Sequence, residues 1–385
     1  MSKLLSNMSK PTNCLVIAGE QSGEEHAQSF LPELMRRNPD MHFWGVGGDD
    51  FKKRNIEILY HLRDFSSIGF SEVFFKLHFY IQAEKRILEE VLKRDCKIAI
   101  LIDFQGFNLK IAKKLKKLGV KVLYYVAPQA WLWKPYRANS IKKYVHTVFS
   151  IIPFEKEWFE KRGVKNLKLV PHPVFSRYKH LLSEIRDRKN QNFKKQLNIL
   201  ILPGSRNSEV KTLLPIFAEV AKKAKADFPA KISIVKTTSV ENKYYDLHEG
   251  IFDKEYSPEQ LVEAFSEADI CLAASGTVTL TCGLFEVPTI VCYKVSLFTE
   301  FIAMNFIGKH YDLSLTNILL KETIFPELLQ QQANPELVYE YLKYLLTEKV
   351  AYEKILNKIK KIKDILSADD FKVVDYMDQV LHEDS

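Results

Sequence analysis

The sequence predicts an α/β protein of two doubly wound parallel-sheet domains facing a cleft. Three observations carry that prediction. Short apolar runs alternate with amphipathic stretches through the first half, the rhythm of strand-helix-strand units. After a charged segment the same rhythm restarts. In both halves, polar turns join apolar strands to helical patterns, as α/β folds require. At 385 residues the chain is too long for one ordinary core and fits two domains.

In chain order, strand Cys14 to Ala18 leads through Gly19-Glu20-Gln21-Ser22-Gly23 into a helix running to Arg37, followed by strand His42 to Val46. Phe65 to Tyr80 crowds nine large apolar side chains around Lys76 and His78, which reads either as core or as a membrane-facing wedge centred on Phe70, Phe74 and Phe75. Helix Phe79 to Lys93, strand Ile98 to Ile102, helix Leu109 to Leu118, strand Val122 to Val126, helix Tyr136 to Tyr144 and strand Thr147 to Ile151 complete the first sheet. A domain spanning 1–178 results. The segment 179–196 is charged, poor in strand formers, and reads as a linker. The second domain, 197–349, holds strands Leu197 to Leu202, Ile232 to Val235, Ile270 to Ala273 and Thr289 to Tyr293 with helices between them. The closing helices, about 350–385, are assigned to pack back on the first domain.

The chain is basic, with net charge +8, which suits an anionic partner. Aromatic RNA-binding signatures and zinc-finger spacings are absent, so nucleic acid is not expected. The five cysteines show no paired spacing, and neither disulfide nor metal site is indicated. Met1 to Asn13 is polar and lacks the apolar stretch of a secretory signal, and no run reaches the ~20 apolar residues of a membrane span, so a cytoplasmic protein is expected.

Two turns point to chemistry. Leu197 to Leu202 runs into Pro203-Gly204-Ser205-Arg206, and Ile270 to Ala273 runs into Ala274-Ser275-Gly276-Thr277. Unpaired N–H groups at a helix start carry partial positive charge and attract phosphate oxygens. Arg206 adds a planar fork of donors. Two such turns in one half suggest a nucleotide diphosphate. Asp103, directly after Ile98 to Ile102, is placed as a general base or as a helix cap; position alone leaves both open. Ser22 and Gly23 fit either a phosphate or sugar contact or a capping turn. The aromatic, proline-bearing segment Tyr124 to Lys134, which contains Pro128-Gln129-Ala130-Trp131-Leu132-Trp133, continues from a strand and lines a site or fills core. His172, between two prolines, touches substrate or ends a strand.

These motifs, in order, resemble lipid-A-disaccharide synthase, an inverting glycosyltransferase family of the GT-B fold. The likeness rests on Ala18 to Gly23, Ile102-Asp103 with Phe107-Asn108, Pro128 to Trp133 and Ile152-Pro153-Phe154-Glu155. It continues at His172-Pro173, Leu202 to Arg206 with Glu209, Ala274 to Thr277 with Leu280, and Asn317 with Glu327-Leu328-Leu329-Gln330. The chain departs from the family at Glu24, Gln105-Gly106, Pro171 and Thr281; at Thr281 the family usually carries a glutamate, and in related GT-B enzymes that acidic residue accepts hydrogen bonds from the ribose hydroxyls.

The resemblance implies transfer of an acylated glucosamine from UDP to an acylated glucosamine 1-phosphate, without a cofactor, with Asp103 as base. It assigns substrate or UDP binding to Ser22, Gly23, Gly204, Ser205, Arg206, Glu209, Ser275, Gly276, Thr277, Asn317 and Gln330. Gln129, Trp131, Trp133 and His172 go to the acceptor side. It further implies peripheral association with the cytoplasmic surface of the inner membrane; a homodimer is left open. The rivals are another GT-B enzyme on UDP-amino sugars, either a peptidoglycan-precursor transferase or an epimerase, and a catalytically weak lipid-binding scaffold.

Overall fold

A computed structural model describes residues 13–66, 73–131, 134–185, 188, 195–294, 312–367 and 371–383. The chain divides into two compact units, one of residues 1–177 with 366–385 and one of 178–365. In the first, strands β1 (Asn13–Ala18), β2 (His42–Gly47), β3 (Glu57–His61), β4 (Ile98–Ile102), β5 (Lys121–Tyr125), β6 (Thr147–Ser150) and β7 (Leu167–Leu169) form a sheet in the order β3-β2-β1-β4-β5-β6-β7. Every pairing is parallel. In the second, β8 (Leu197–Leu202), β9 (Ala230–Val235), β10 (Lys254–Tyr256), β11 (Ile270–Ala274), β12 (Thr289–Tyr293) and β13 (Glu327–Leu329) form the order β10-β9-β8-β11-β12-β13, again all parallel.

The central strands read as unbroken apolar runs because helices cover both faces of a parallel sheet. Val16, Ile17, Ile100 and Leu101 are all fully buried. Each such side chain contributes about 1.5–3 kcal/mol by leaving water, and Ile100→Ala would cost about 2–5 kcal/mol.

Several boundaries differ from the sequence reading for local reasons. The expected helix from Gly23 to Arg37 is two, Gln21–Ala27 and Leu31–Arg37. Ser29 Oγ donates to the His26 carbonyl at 2.8 Å, closing the first helix, and Pro32 lies in the first turn of the second, where its missing N–H costs nothing. The helix expected from Leu213 starts at Asn207 and carries Pro215 inside it, its first turn being polar and bound by Glu209. Strands β3, β10 and β13 were not anticipated; all are edge strands, and edge strands lack the continuous apolar signal. The Val373–His382 helix returns to the first unit, where Asp375 and Asp378 meet Arg37 and Asn38 at 2.7 and 2.8 Å.

Candidate active site

In a doubly wound sheet, ligands bind beyond the carboxyl ends of the strands where the strand order reverses. That reversal lies between β1 and β4 in the first unit and between β8 and β11 in the second. The turns singled out from sequence sit at these reversals: Gly19 to Ser22 and Asp103 in the first, Pro203 to Arg206 and Ser275 to Thr277 in the second.

Asp103 leaves β4 by donating its N–H to the Tyr125 carbonyl at 2.9 Å, one last rung of the sheet. It then turns sharply. Asp103 and Phe104 have φ of 48° and 46°, and Val126 at the end of neighbouring β5 has φ of 68°. Left-handed backbone at residues with a β-carbon costs about 1–3 kcal/mol each and persists only where surroundings hold it. Here the Asp103 carbonyl accepts from Tyr124 Oη at 2.7 Å and Asn108 Nδ2 at 2.9 Å. The Phe104 ring lies over the β1 turn so closely that a β-carbon on Gly19 would sit 2.2 Å from it. Burial, reinforced by the Glu20 carboxylate, pushes the Asp103 carboxyl up to about 6. A carboxylate poised there is ionised at neutral pH and basic enough to take a hydroxyl proton.

The loop after β5 is anchored from below. Trp131 Nε1 donates to Glu155 Oε1 at 2.8 Å, and its ring meets Phe154 edge-on at 4.9 Å. Glu155 is 1% exposed, and burial pushes its carboxyl up to about 8 against the opposing bonds from Ser150 and Trp131. The hydrogen count agrees. Ser150 Oγ lies 2.5 Å from Glu155 Oε2 and 3.0 Å from the Ile152 carbonyl, yet has one hydrogen to give. A protonated Glu155 donating to Ser150 satisfies every partner. Gln129 is half-buried beside this anchor. His172 is buried, accepts from the Val174 N–H at 3.1 Å on Nδ1, and donates its own backbone N–H to the Leu366 carbonyl at 3.0 Å. Burial and nearby His26 hold it down to about 3, so the ring is neutral at physiological pH. Ser22 and Gly23 lie in the Gln21–Ala27 helix, Ser22 half-buried. The departure at Glu24 is structural: its buried carboxylate accepts from the Gly48 and Phe51 N–H groups, both at 2.8 Å.

In the second unit the two turns differ. Gly204 has φ of 115°, and the Glu209 carboxylate folds back under it, accepting from the N–H groups of Ser205 at 2.9 Å and Arg206 at 3.3 Å. Amides open to a phosphate were expected at this turn; an internal carboxylate occupies them instead. Arg206 is 76% exposed, with one nitrogen on Glu209 at 2.7 Å. The Ser275 to Thr277 turn is the open one. Gly276 precedes the Thr277–Leu284 helix, and beyond its chain neighbours no atom of the described residues lies within 4 Å of where its β-carbon would be. Ser275 Oγ donates to the Leu313 carbonyl at 3.4 Å. Thr281 is buried on that helix.

Asn317, expected to bind the donor, has a different role. Its Nδ2 donates to the Phe325 carbonyl at 2.9 Å and Glu327 at 2.7 Å, and its Oδ1 accepts from the Ile324 and Phe325 N–H groups at 2.9 and 2.8 Å. That saturates the amide, leaving nothing for a ligand. Asn317 instead holds Glu327, which accepts from the Leu313 and Ser314 N–H groups at 2.7 and 2.9 Å. Gln330 follows β13 at φ of 52°.

Trp133 and Phe70 lie outside the described residues, as do the side chains of Phe74 and Phe75. Of the apolar stretch around them, Phe65 belongs to the core beside Phe104 and Phe107, and half-buried Phe79 and Tyr80 pack against it. Among the described residues no group of acidic, histidine and cysteine side chains is placed to hold a metal ion, and no helix is long and apolar enough to cross a membrane. Sequence reasoning missed the roles of Tyr124, Asn108 and Glu155. Asn108 and Glu155 stood in recognised motifs and Tyr124 in the aromatic segment, but nothing local showed which groups they bond.

Two parallel doubly wound units with polar turns at both reversals define a protein of the GT-B fold. The structure of MurG from Acinetobacter baumannii superposes with a TM-score of 0.56, at 14% identity, covering 96% of this chain and 98% of that one. The family model described as lipid-A-disaccharide synthetase matches residues 14–380, and the chain belongs to that family. Among its relatives, the lipid-A-disaccharide synthase of Myxococcus xanthus is 34% identical, over 86% of this chain and 88% of its own. The lipid-A-disaccharide synthase 1 of Legionella pneumophila (strain Lens) is 30% identical, over 94% and 95%.

Proposed function

We propose that this protein transfers an acylated glucosamine from UDP to the 6-hydroxyl of an acylated glucosamine 1-phosphate, giving a β-1,6-linked disaccharide 1-phosphate and UDP. The observation that carries the mechanism is Asp103, fixed beyond β4 with its carboxyl raised to about 6, in a chain of this family. Asp103 takes the acceptor proton while that oxygen attacks the anomeric carbon opposite UDP, which inverts the configuration. The carbon–oxygen bond to the diphosphate breaks as the new one forms.

The negative charge that develops on UDP is assigned to the amides at Ser275 to Thr277 and to the exposed guanidinium of Arg206. Preorganised donors aimed at a developing charge usually lower the barrier more than any other single device in such sites. Gly276, with open space above it, is the position where a diphosphate oxygen approaches backbone most closely. Both substrates carry acyl chains, so the reaction takes place at the cytoplasmic surface of the inner membrane. Phe70, Phe74 and Phe75 are proposed, from sequence, to enter it. Mass spectrometry of the product from defined donor and acceptor lipids tests the reading. A disaccharide 1-phosphate with the mass of donor plus acceptor less UDP is expected; UDP release without a disaccharide, or no turnover, would sink it.

A further inference from the structure

We infer that Tyr124 and Asn108 are positioning residues for Asp103, holding its peptide in the left-handed turn that aims the carboxylate. The inference rests on the reading of Asp103 as the base. Three observations support it. Asp103 and Phe104 are consecutive left-handed residues, and neither is glycine. An L-residue relaxes out of that region unless its peptide is held.

The hold is specific to one oxygen. Tyr124 Oη and Asn108 Nδ2 both donate to the Asp103 carbonyl, at 2.7 and 2.9 Å, filling its two lone pairs. Tyr124 comes from β5 and Asn108 from the Gln105–Lys117 helix, so the oxygen is fixed from two elements at once. Rotating the peptide toward ordinary φ would swing this carbonyl away from both donors.

Finally, Asn108 is fully buried, and its Oδ1 has no partner among the described residues. Its second Nδ2 hydrogen reaches the Ile102 carbonyl at 3.2 Å. The amide thus commits both hydrogens to the two peptides flanking Asp103 while its acceptor goes unpaired among the described residues. Packing alone does not account for that, since a buried apolar residue of similar size would leave no orphan.

The test compares Tyr124→Phe with wild type, and repeats the change in an Asp103→Asn background. Phenylalanine keeps the buried ring and removes only the hydroxyl. The expected result is a fall in kcat of about tenfold with KM for the UDP-sugar within about twofold, since a base displaced by a fraction of an ångström loses rate rather than binding. The acid limb of the pH profile should move with it. In the Asp103→Asn background the hydroxyl should have no further effect, because it acts through that side chain. Unchanged kcat and pH profile in folded Tyr124→Phe, with Asp103→Asn slow, would overturn the inference and leave the base assignment standing. An equal loss in both backgrounds would also overturn it. Full turnover by Asp103→Asn would sink the base assignment itself, and this inference with it.

Discussion

Trp131 and Glu155 are joined across 24 residues by one hydrogen bond of 2.8 Å, from an indole at the mouth of a loop to a carboxyl that is 1% exposed. Folded Glu155 keeps its proton up to about pH 8, whereas in the unfolded chain it ionises near 4.5. Between those values the folded state binds the extra proton, so stability falls as pH rises, at up to about 1.4 kcal/mol per pH unit. Glu155→Gln should flatten this slope. Denaturant unfolding at pH 5.5, 7 and 8.5 reads it, and parallel slopes for both proteins would show that Glu155 is ionised in the fold.

Asp103→Asn should lower turnover at least ~100-fold with little change in melting temperature, since the amide keeps the shape but not the basicity. In the wild type, kcat/KM should rise with pH through about 6 as the carboxyl, raised by burial and by Glu20, loses its proton. Near-normal turnover in the variant at saturating donor would exclude Asp103 as the base.

Gly276→Ala tests the open turn. The backbone there is extended and, beyond its chain neighbours, the added methyl meets no atom of the described residues within 4 Å, so the fold should tolerate it. If the diphosphate sits where proposed, the methyl intrudes and UDP binding weakens. Titration calorimetry should show a raised Kd with an unchanged Tm; an unchanged Kd would move the diphosphate elsewhere.

Arg206→Ala should weaken UDP binding by roughly 1.5–3 kcal/mol, the range for a hydrogen bond to a charged group. Loss of its contact to Glu209 should cost little stability, because the pair is solvent-exposed on the arginine side. If calorimetry finds the same affinity, Arg206 serves only the helix cap.

Polar substitution of Phe70, Phe74 and Phe75 together should release the protein from anionic liposomes at high salt while the fold persists. The apolar side chains supply the salt-resistant part of binding, and charge supplies the part that salt screens. Sedimentation decides the matter: undiminished pelleting, or unfolding of the variant, would assign these residues to core.

Much of this was legible in the sequence because the signals were local. Ile98 to Ile102 followed by Asp103 is a buried strand ending in a carboxylate, and both polar turns stood directly after such strands. What was hidden depends on pairing between distant residues. Nothing near Glu155 says that its oxygen meets an indole 24 positions earlier. Asn317 looked like a ligand-binding amide until the loop through Ile324 and Phe325 brought four partners to it. Glu209 follows its turn by so few residues that its cap was available to inspection, but the same spacing suits a phosphate site.

His172 donates its backbone N–H to the Leu366 carbonyl where the chain leaves the first unit and returns to it. Because that unit takes residues from both sides of the second, a ribosome delivers its sheet early and its last helix late. The Leu31–Arg37 helix emerges hundreds of residues before Asp375 and Asp378 arrive to pair with it. During synthesis the second unit can therefore close before the first has all its parts. The nascent first unit spends that interval with the surface meant for Val373–His382 uncovered, a window in which a chaperone's grip would matter more than at any later moment.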